Sequence, residues 1–176
     1  MIKIRETPVA ILFICHGNIC RSPMAEFVMK KLVSDVKLAD HFQIASAATS
    51  TEEIWNGIGN PVYPPAKAEL ARRGISCEGK RARQVTKADY AEYDYLIGMD
   101  GANIRNMTRI AGDSDVEGKI YKMLSFADYE KTHKLSEARD VADPWYTGDF
   151  DQTFEDVMAG CKGLLAYIKD KEQLYK

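Results

Sequence analysis

No apolar run in the chain approaches the roughly 20 residues that a membrane-spanning helix needs, so no such helix is expected. The opening residues, Met1-Ile2-Lys3-Ile4-Arg5-Glu6-Thr7, lack the apolar core of a secretory leader. Neither sign of charge dominates. Twenty-four Lys and Arg stand against 26 Asp and Glu, a net charge of −2, and electrostatics gives no ground for nucleic acid or an anionic membrane as partner. Cysteine is sparse. Four in 176 residues do not read as a disulfide framework, and a reducing, cytoplasmic setting is expected. The chain also lacks any C-x₂-C pair, so Cys15 and Cys20 beside His16 do not read as a zinc site. Asp113, Asp115 and Glu117 before Gly118 fail the spacing of a calcium loop, and Gly57-Ile58-Gly59 follows no strand as a dinucleotide fingerprint would. No metal and no cofactor are expected. Internal repeats and low-complexity tracts are absent.

What is present is ordinary globular composition, 45% hydrophobic and 28% charged, in a length that suits one domain over 1–176. Residues 8–14 form a nearly continuous apolar run, the pattern of a buried parallel strand. A helix over 23–36 follows, with Pro23 in its first turn, where a missing N–H costs nothing. Residues 42–48 read as a second strand and 49–61 as a polar loop. A helix over 64–73 ends at Gly74, a natural residue for a left-handed helix end. A short helix over 86–93 is capped by Thr86. The third strand is 95–99, and Asp100 is placed as a cap for a helix over 101–111. The fourth strand is 120–124, and a polar loop covers 127–142. The last helix, 150–171, turns Phe154, Val157, Met158, Cys161, Leu164, Leu165 and Ile168 to one side. Strands alternating with helices imply a three-layer α/β/α sandwich on a four-stranded parallel sheet. Ligands of such sheets bind at the carboxyl ends of the strands, near the switch in strand order.

That edge is where Cys15-His16-Gly17-Asn18-Ile19-Cys20-Arg21-Ser22 falls. Strand, tight loop and helix start make an anion cradle, because loop N–H groups and the helix dipole both favour negative charge there. The same field and Arg21 favour a thiolate at Cys15, the form a cysteine nucleophile must take. Arg21 offers a phosphate two parallel donors. Ser22 is placed to donate to the sulfur. Gly17 and Asn18 are residue types that tolerate left-handed backbone, as such a loop needs.

The string Cys15-x-x-x-x-x-Arg21-Ser22, and more narrowly Cys15-x-Gly17-Asn18-Ile19-Cys20-Arg21-Ser22-Pro23, resembles the phosphate loop of the low-molecular-weight protein tyrosine phosphatases. The likeness runs from about Val9 to the last helix. Ser46-Ala47-Ala48-Thr49-Ser50, Ala82-Arg83-Gln84, Met99-Asp100 with Asn103, and Asp143-Pro144 before Trp145 and Tyr146 are similar to further family segments. The resemblance implies hydrolysis of phosphotyrosine in proteins or peptides, with inorganic phosphate as product and inhibitor. By it, Cys15 attacks phosphorus and forms a cysteinyl phosphate, and Arg21 binds the phosphate oxygens together with the 16–20 loop (His16, Gly17, Asn18, Ile19, Cys20) and Ser22. Asp143 serves as acid and then base. Trp145 and Tyr146 flank the substrate ring, Ser46 with Asn18 stiffens the loop, and Cys20 is a partner for a reversible disulfide with Cys15.

Two positions depart from the pattern. Lys80 stands where the family often has histidine, and Glu52 stands where some members have a ring-stacking aromatic. Trp55, further along the 49–61 loop, is the expected pocket wall in its place. Asp100 is read as structural. The same fold also serves arsenate reductases and protein-arginine phosphatases. A reductase needs further relay cysteines near 77–90, where only Cys77 lies. Arginine phosphatases tend to have threonine at the position of Ile19 and lack the aromatic pair.

Overall fold

Val9–Cys15, strand β1, is buried along its whole length, and its side chains alternate between two apolar clusters. Ile11 and Phe13 face one, Leu12 and Ile14 the other. A strand covered on both faces must sit inside a layered α/β fold, which is why it carries no polar alternation. In this computed structural model, which describes residues 5–174, β1 pairs in parallel with β2 (Phe42–Ala48) on one side and β5 (Tyr95–Gly98) on the other. Strand β6 (Ile120–Lys122) extends the sheet, giving the order β2-β1-β5-β6. Residues 1–4, the start of the segment read above for a leader, lie outside the described residues.

Helices cover both faces. Helix α1 (Arg21–Asp35), α2 (Pro64–Arg72) and α7 (Phe150–Glu172) enclose the larger cluster, while α3 (Lys87–Glu92) and α4 (Gly101–Ile110) cover the smaller one through Tyr90 and Met107. On α7, Phe154, Val157, Cys161, Leu164, Leu165 and Ile168 are buried, as the helical spacing requires, and Met158 packs half-buried beside them. Full burial of one such side chain is worth about 1.5–3 kcal/mol. Gly163 lets α7 close on the preceding segment, since a Cβ there would stand 1.7 Å from the Phe126 carbonyl oxygen. Among the described residues no helix is long and apolar enough to cross a membrane.

Four local expectations change. Helix α1 begins at Arg21, two residues before Pro23, because the loop ends directly in helix. The fourth strand stops at Lys122. Met123–Phe126 turns into a 3₁₀ segment that buries Met123, Leu124 and Phe126 under α7 instead of extending the sheet. The 49–61 loop contains a hairpin, β3 (Ile54–Trp55) with β4 (Ile58–Gly59), closed by Asn56 and Gly57, both at positive φ as a two-residue turn demands. The 127–142 loop contains α5 (Tyr129–Thr132), ended by His133 in left-handed backbone, and α6 (Pro144–Thr147) follows it. Thr86 and Asp100 cap α3 and α4 as expected, each in a reciprocal capping box.

Candidate active site

The sheet delivers Cys15 to the carboxyl end of β1, beside the switch in strand order between β1 and β5. The chain then turns through 16–20 into α1. Asn18 makes that turn in left-handed backbone (φ 59°), whereas Gly17 does not adopt positive φ. A Cβ at Gly17 would sit 3.2 Å from the Glu53 side chain, a tight contact that the flexible Glu53 chain would have to relieve. The turn aims the Asn18 N–H at Cys15 Sγ, 3.3 Å away, and brings Ser22 Oγ to 3.0 Å from the same sulfur. Cys20 precedes α1 without a side-chain cap, so the helix start presents its first N–H groups at the loop.

Arg21 is only 3% exposed, and its guanidinium has fixed partners. One terminal nitrogen donates to Asp100 Oδ2 (2.8 Å) and to the Val141 carbonyl (2.9 Å), and the other lies 3.5 Å from Asp143 Oδ2. Burial works against its charge, but Cys15, Asp100 and Asp143 outweigh that and hold the guanidinium more firmly protonated than usual. Burial, with the nearby Cys15 and Asp143 charges, pushes the Cys20 thiol up to about 12. The loop therefore holds one cysteine next to donors and a second that stays a thiol.

Behind the loop runs a buried polar chain. Asn18 Nδ2 donates to Ser22 Oγ (2.8 Å) and Ser46 Oγ (2.9 Å), and Ser46 Oγ donates to Glu26 Oε1 (2.6 Å). The Arg83 N–H donates to Asn18 Oδ1 (3.2 Å). Lys80 Nζ donates to the Ser46 carbonyl (3.0 Å) and lies 3.3 Å from Glu26 Oε1.

In front of the loop is a cleft. Cys15, Arg21, Asp143, the aromatic pair Trp145 and Tyr146, and the two carboxylates Glu52 and Glu53 all line it. Asp143 caps α6, with Oδ1 accepting the Trp145 N–H at 3.0 Å, so its other oxygen is turned to the Arg21 guanidinium, 3.5 Å away. Trp145 packs on Tyr63, ring centres 5.0 Å apart, while Tyr146 is 85% exposed. His16 Nε2 meets Glu52 Oε2 at 2.9 Å, and both residues line the cleft.

The low molecular weight phosphotyrosine protein phosphatase family model matches residues 10–174. The chain belongs to that family. It is 37% identical to the low molecular weight protein-tyrosine-phosphatase YfkJ of Bacillus subtilis over 166 residues, 94% of this chain and 99% of the relative. It is also 37% identical to the mouse low molecular weight phosphotyrosine protein phosphatase, over 89% of this chain and 93% of the relative. The crystal structure of Bacillus subtilis YfkJ superimposes with a TM-score of 0.83 over 95% of this chain and 98% of that one.

For a member of this phosphatase family, the cleft brings together Cys15, His16, Gly17, Ile19, Cys20, Arg21, Glu52, Asp143, Trp145 and Tyr146, with Asn18, Ser22 and Ser46 buried behind it. Trp55 is the exception. It sits on the hairpin strand β3, 73% exposed and outside the cleft lining. Two residues that touch the site, Asp100 and Glu26, were not read for it in the sequence, and Lys80 was noted only as a departure from the family pattern. Asp100, taken there as a helix cap alone, also holds Arg21. Glu26 and Lys80 close the polar chain behind the loop. The available signal for Asp100 was its position directly after a strand, at the ligand-binding edge of the sheet. For Glu26 it was a carboxylate on the apolar side of α1.

Proposed function

We propose that the protein hydrolyses phosphotyrosine in proteins or peptides through a cysteinyl phosphate, with Cys15 as nucleophile, Arg21 as phosphate ligand and Asp143 as acid and base. The observation that carries this reading is the convergence of the Cys15 sulfur, the Arg21 fork and the Asp143 carboxylate on one aromatic-walled cleft, in a chain of this family. Cys15 Sγ attacks phosphorus as the ester P–O bond breaks, so the sulfur takes the phosphoryl group and the phenol oxygen leaves with the bond pair. A phenol with a pKa near ~10 is a poor leaving group at neutral pH, and Asp143 supplies its proton. Water then attacks phosphorus, Asp143 takes its proton, and the S–P bond breaks to give inorganic phosphate and the thiolate. Arg21 and the loop N–H groups hold the equatorial oxygens throughout, a role that needs fixed donors rather than movable ones.

Trp145 and Tyr146 on one side, with Glu52 opposite, form a slot suited to a flat ring. No metal or organic cofactor enters these steps, the phosphate product competes for the loop, and neither nucleic acid nor a membrane is called for. Residues 1–176 act as one catalytic unit in the cytoplasm.

Hydrolysis of matched phosphotyrosine, phosphoarginine and phosphoserine peptides tests the assignment. Phosphotyrosine is expected to be fastest, with turnover abolished in Cys15→Ser. Faster phosphoarginine turnover would replace the substrate and keep the chemistry.

A further inference from the structure

The β3–β4 hairpin has an inner and an outer face, because side chains alternate along a strand and cross-strand partners share a face. Ile54 and Gly59 are one such pair, and they face inward. Ile54 is half-buried against the larger apolar cluster, and Gly59 presses on the Ala82 backbone with no room for a Cβ. Trp55 and Ile58, the other pair, flank the Asn56-Gly57 turn and must therefore point away from the body. They do so: Trp55 is 73% exposed and Ile58 is 63% exposed. Apolar residues scattered singly on a surface are ordinary, but here two large ones share one face beside a cleft. That face is also held firmly. The Asn60 N–H donates to the Glu53 carbonyl (2.8 Å) and the Asn60 amide side chain to Glu53 Oε2 (2.7 Å). The Ala82 N–H donates to the Asn60 carbonyl (2.9 Å), and Arg81 donates to the Gly59 carbonyl (3.0 Å). A surface fixed in advance loses little freedom on binding.

The face has a fixed relation to the cleft. Glu53 lines the cleft, and Trp55 follows it by two residues, a reach of at most about 7 Å along the backbone. An extended peptide whose phosphotyrosine fills the cleft covers that distance in about two to four residues. We infer that Trp55 and Ile58 form a docking site for the substrate chain itself, taking a leucine-sized or aromatic side chain that lies about two to four residues from the phosphotyrosine. Charge narrows the occupant further. Glu52, Glu53 and Asp143 all line the cleft, and carboxylates so grouped disfavour an acidic neighbour of the phosphotyrosine. Trp55 carries the larger share, since a tryptophan brings much contact area with few rotamers to lose. The pair lies outside the cleft lining, so it selects among phosphorylated chains without touching the reacting atoms.

The inference rests on the proposed phosphotyrosine activity, and its test is a ratio taken within one protein. A serine-rich phosphotyrosine peptide is compared with versions that carry one leucine at each position up to four residues on either side. In the parent protein, leucine at one position is expected to raise kcat/KM about tenfold over serine. The ratio cancels any change in the chemistry itself. Trp55→Ala is expected to bring it close to one, and Ile58→Ser to lower it about threefold. Leucine without effect at every position overturns the inference and leaves the phosphatase reading standing, as does a preference that survives in both variants. No turnover of any phosphotyrosine peptide overturns both. Ile58→Ser carries the test from the other strand should Trp55→Ala fail to fold by circular dichroism, and loss of folding in both overturns the inference as a purely structural role. Size-exclusion chromatography completes it: a parent dimer that Trp55→Ala converts to monomer would assign the face to a second copy of the chain and overturn the inference.

Discussion

Arg21 and Asp100 are joined by a 2.8 Å hydrogen bond between residues 79 positions apart, and the second carboxylate oxygen of Asp100 accepts the Asn103 N–H at 2.8 Å. One aspartate thus starts a helix and holds the guanidinium that is to bind phosphate. A misplacement of about 1 Å in such a group can cost on the order of a hundredfold in rate.

Asp100→Ala is therefore expected to lower kcat/KM for phosphotyrosine peptides by about ten- to a hundredfold, and to weaken phosphate inhibition. Asp100→Asn keeps a capping oxygen and should retain stability while losing most of the activity. Steady-state kinetics beside thermal melts separate the two effects. A loss of activity that follows the loss of stability would make Asp100 a cap only.

Asp143→Ala removes the proton for the leaving oxygen. The expected loss is about 10²–10⁴ for phosphotyrosine and much less for aryl phosphates whose phenols are acidic. A series of aryl phosphates of graded phenol pKa checks this, and equal losses across the series would exclude Asp143 as the acid.

Burial and the Cys15 charge push the Cys20 thiol up to about 12, so Cys20 stays protonated and unreactive at neutral pH. Iodoacetamide at pH 7 should label Cys15 alone. In Cys15→Ser the loop should take up no label, and peptide mapping reads both results. Label on Cys20 at neutral pH would contradict the electrostatics described for the loop.

The Asp89 carboxylate accepts the Thr86 N–H in the α3 capping box and pairs with Arg83, the residue whose N–H orients Asn18. Burial opposes its charge, but the Arg83 and Thr86 bonds win and hold its pKa below the usual carboxylate value. A depressed carboxylate stabilises above its unfolded pKa and loses that contribution as pH falls through the folded value. Asp89→Asn should thus cost about 1 kcal/mol at pH 7, a gap that closes below about pH 4. Urea titrations at the two pH values measure it, and an unchanged gap in acid would contradict the assignment.

The hairpin depends on Gly59, where a Cβ would stand 1.8 Å from the Ala82 carbonyl oxygen, against backbone that cannot swing aside. Gly59→Ala is expected to destabilise by about 1–3 kcal/mol and to displace Glu53 from the cleft wall. A calorimetric melt unchanged from the parent would show that the hairpin is not held there.

The sequence was most legible where function and local structure coincide. Strand β2 matches its expected span of 42–48, and the 15–22 string announces both a turn and a chemistry. The four-stranded parallel sheet follows from the alternation of apolar strands with amphipathic helices. Two kinds of feature were hidden. Strands β3 and β4 have two residues each, too short for an apolar pattern, although Asn56-Gly57 marks their turn. The second kind is long-range pairing. Nothing near Glu26 says that it will face Ser46, because their meeting requires α1 to pack across β2 beside β1. Trp55 was expected at the pocket wall, and the same unseen hairpin carries it outside.

The central claim is that phosphate passes through the sulfur of Cys15. Acid quenching of the Asp143→Ala protein during turnover of an aryl phosphate with an acidic phenol, followed by peptide mass mapping, tests it directly, since that leaving group needs no proton while the variant retains its nucleophile and lacks the base for hydrolysis. The account predicts one phosphoryl group on the Cys15 peptide and none in the Cys15→Ser, Asp143→Ala double variant. A phosphoryl group on any other residue, or hydrolysis that persists in Cys15→Ser, would contradict it.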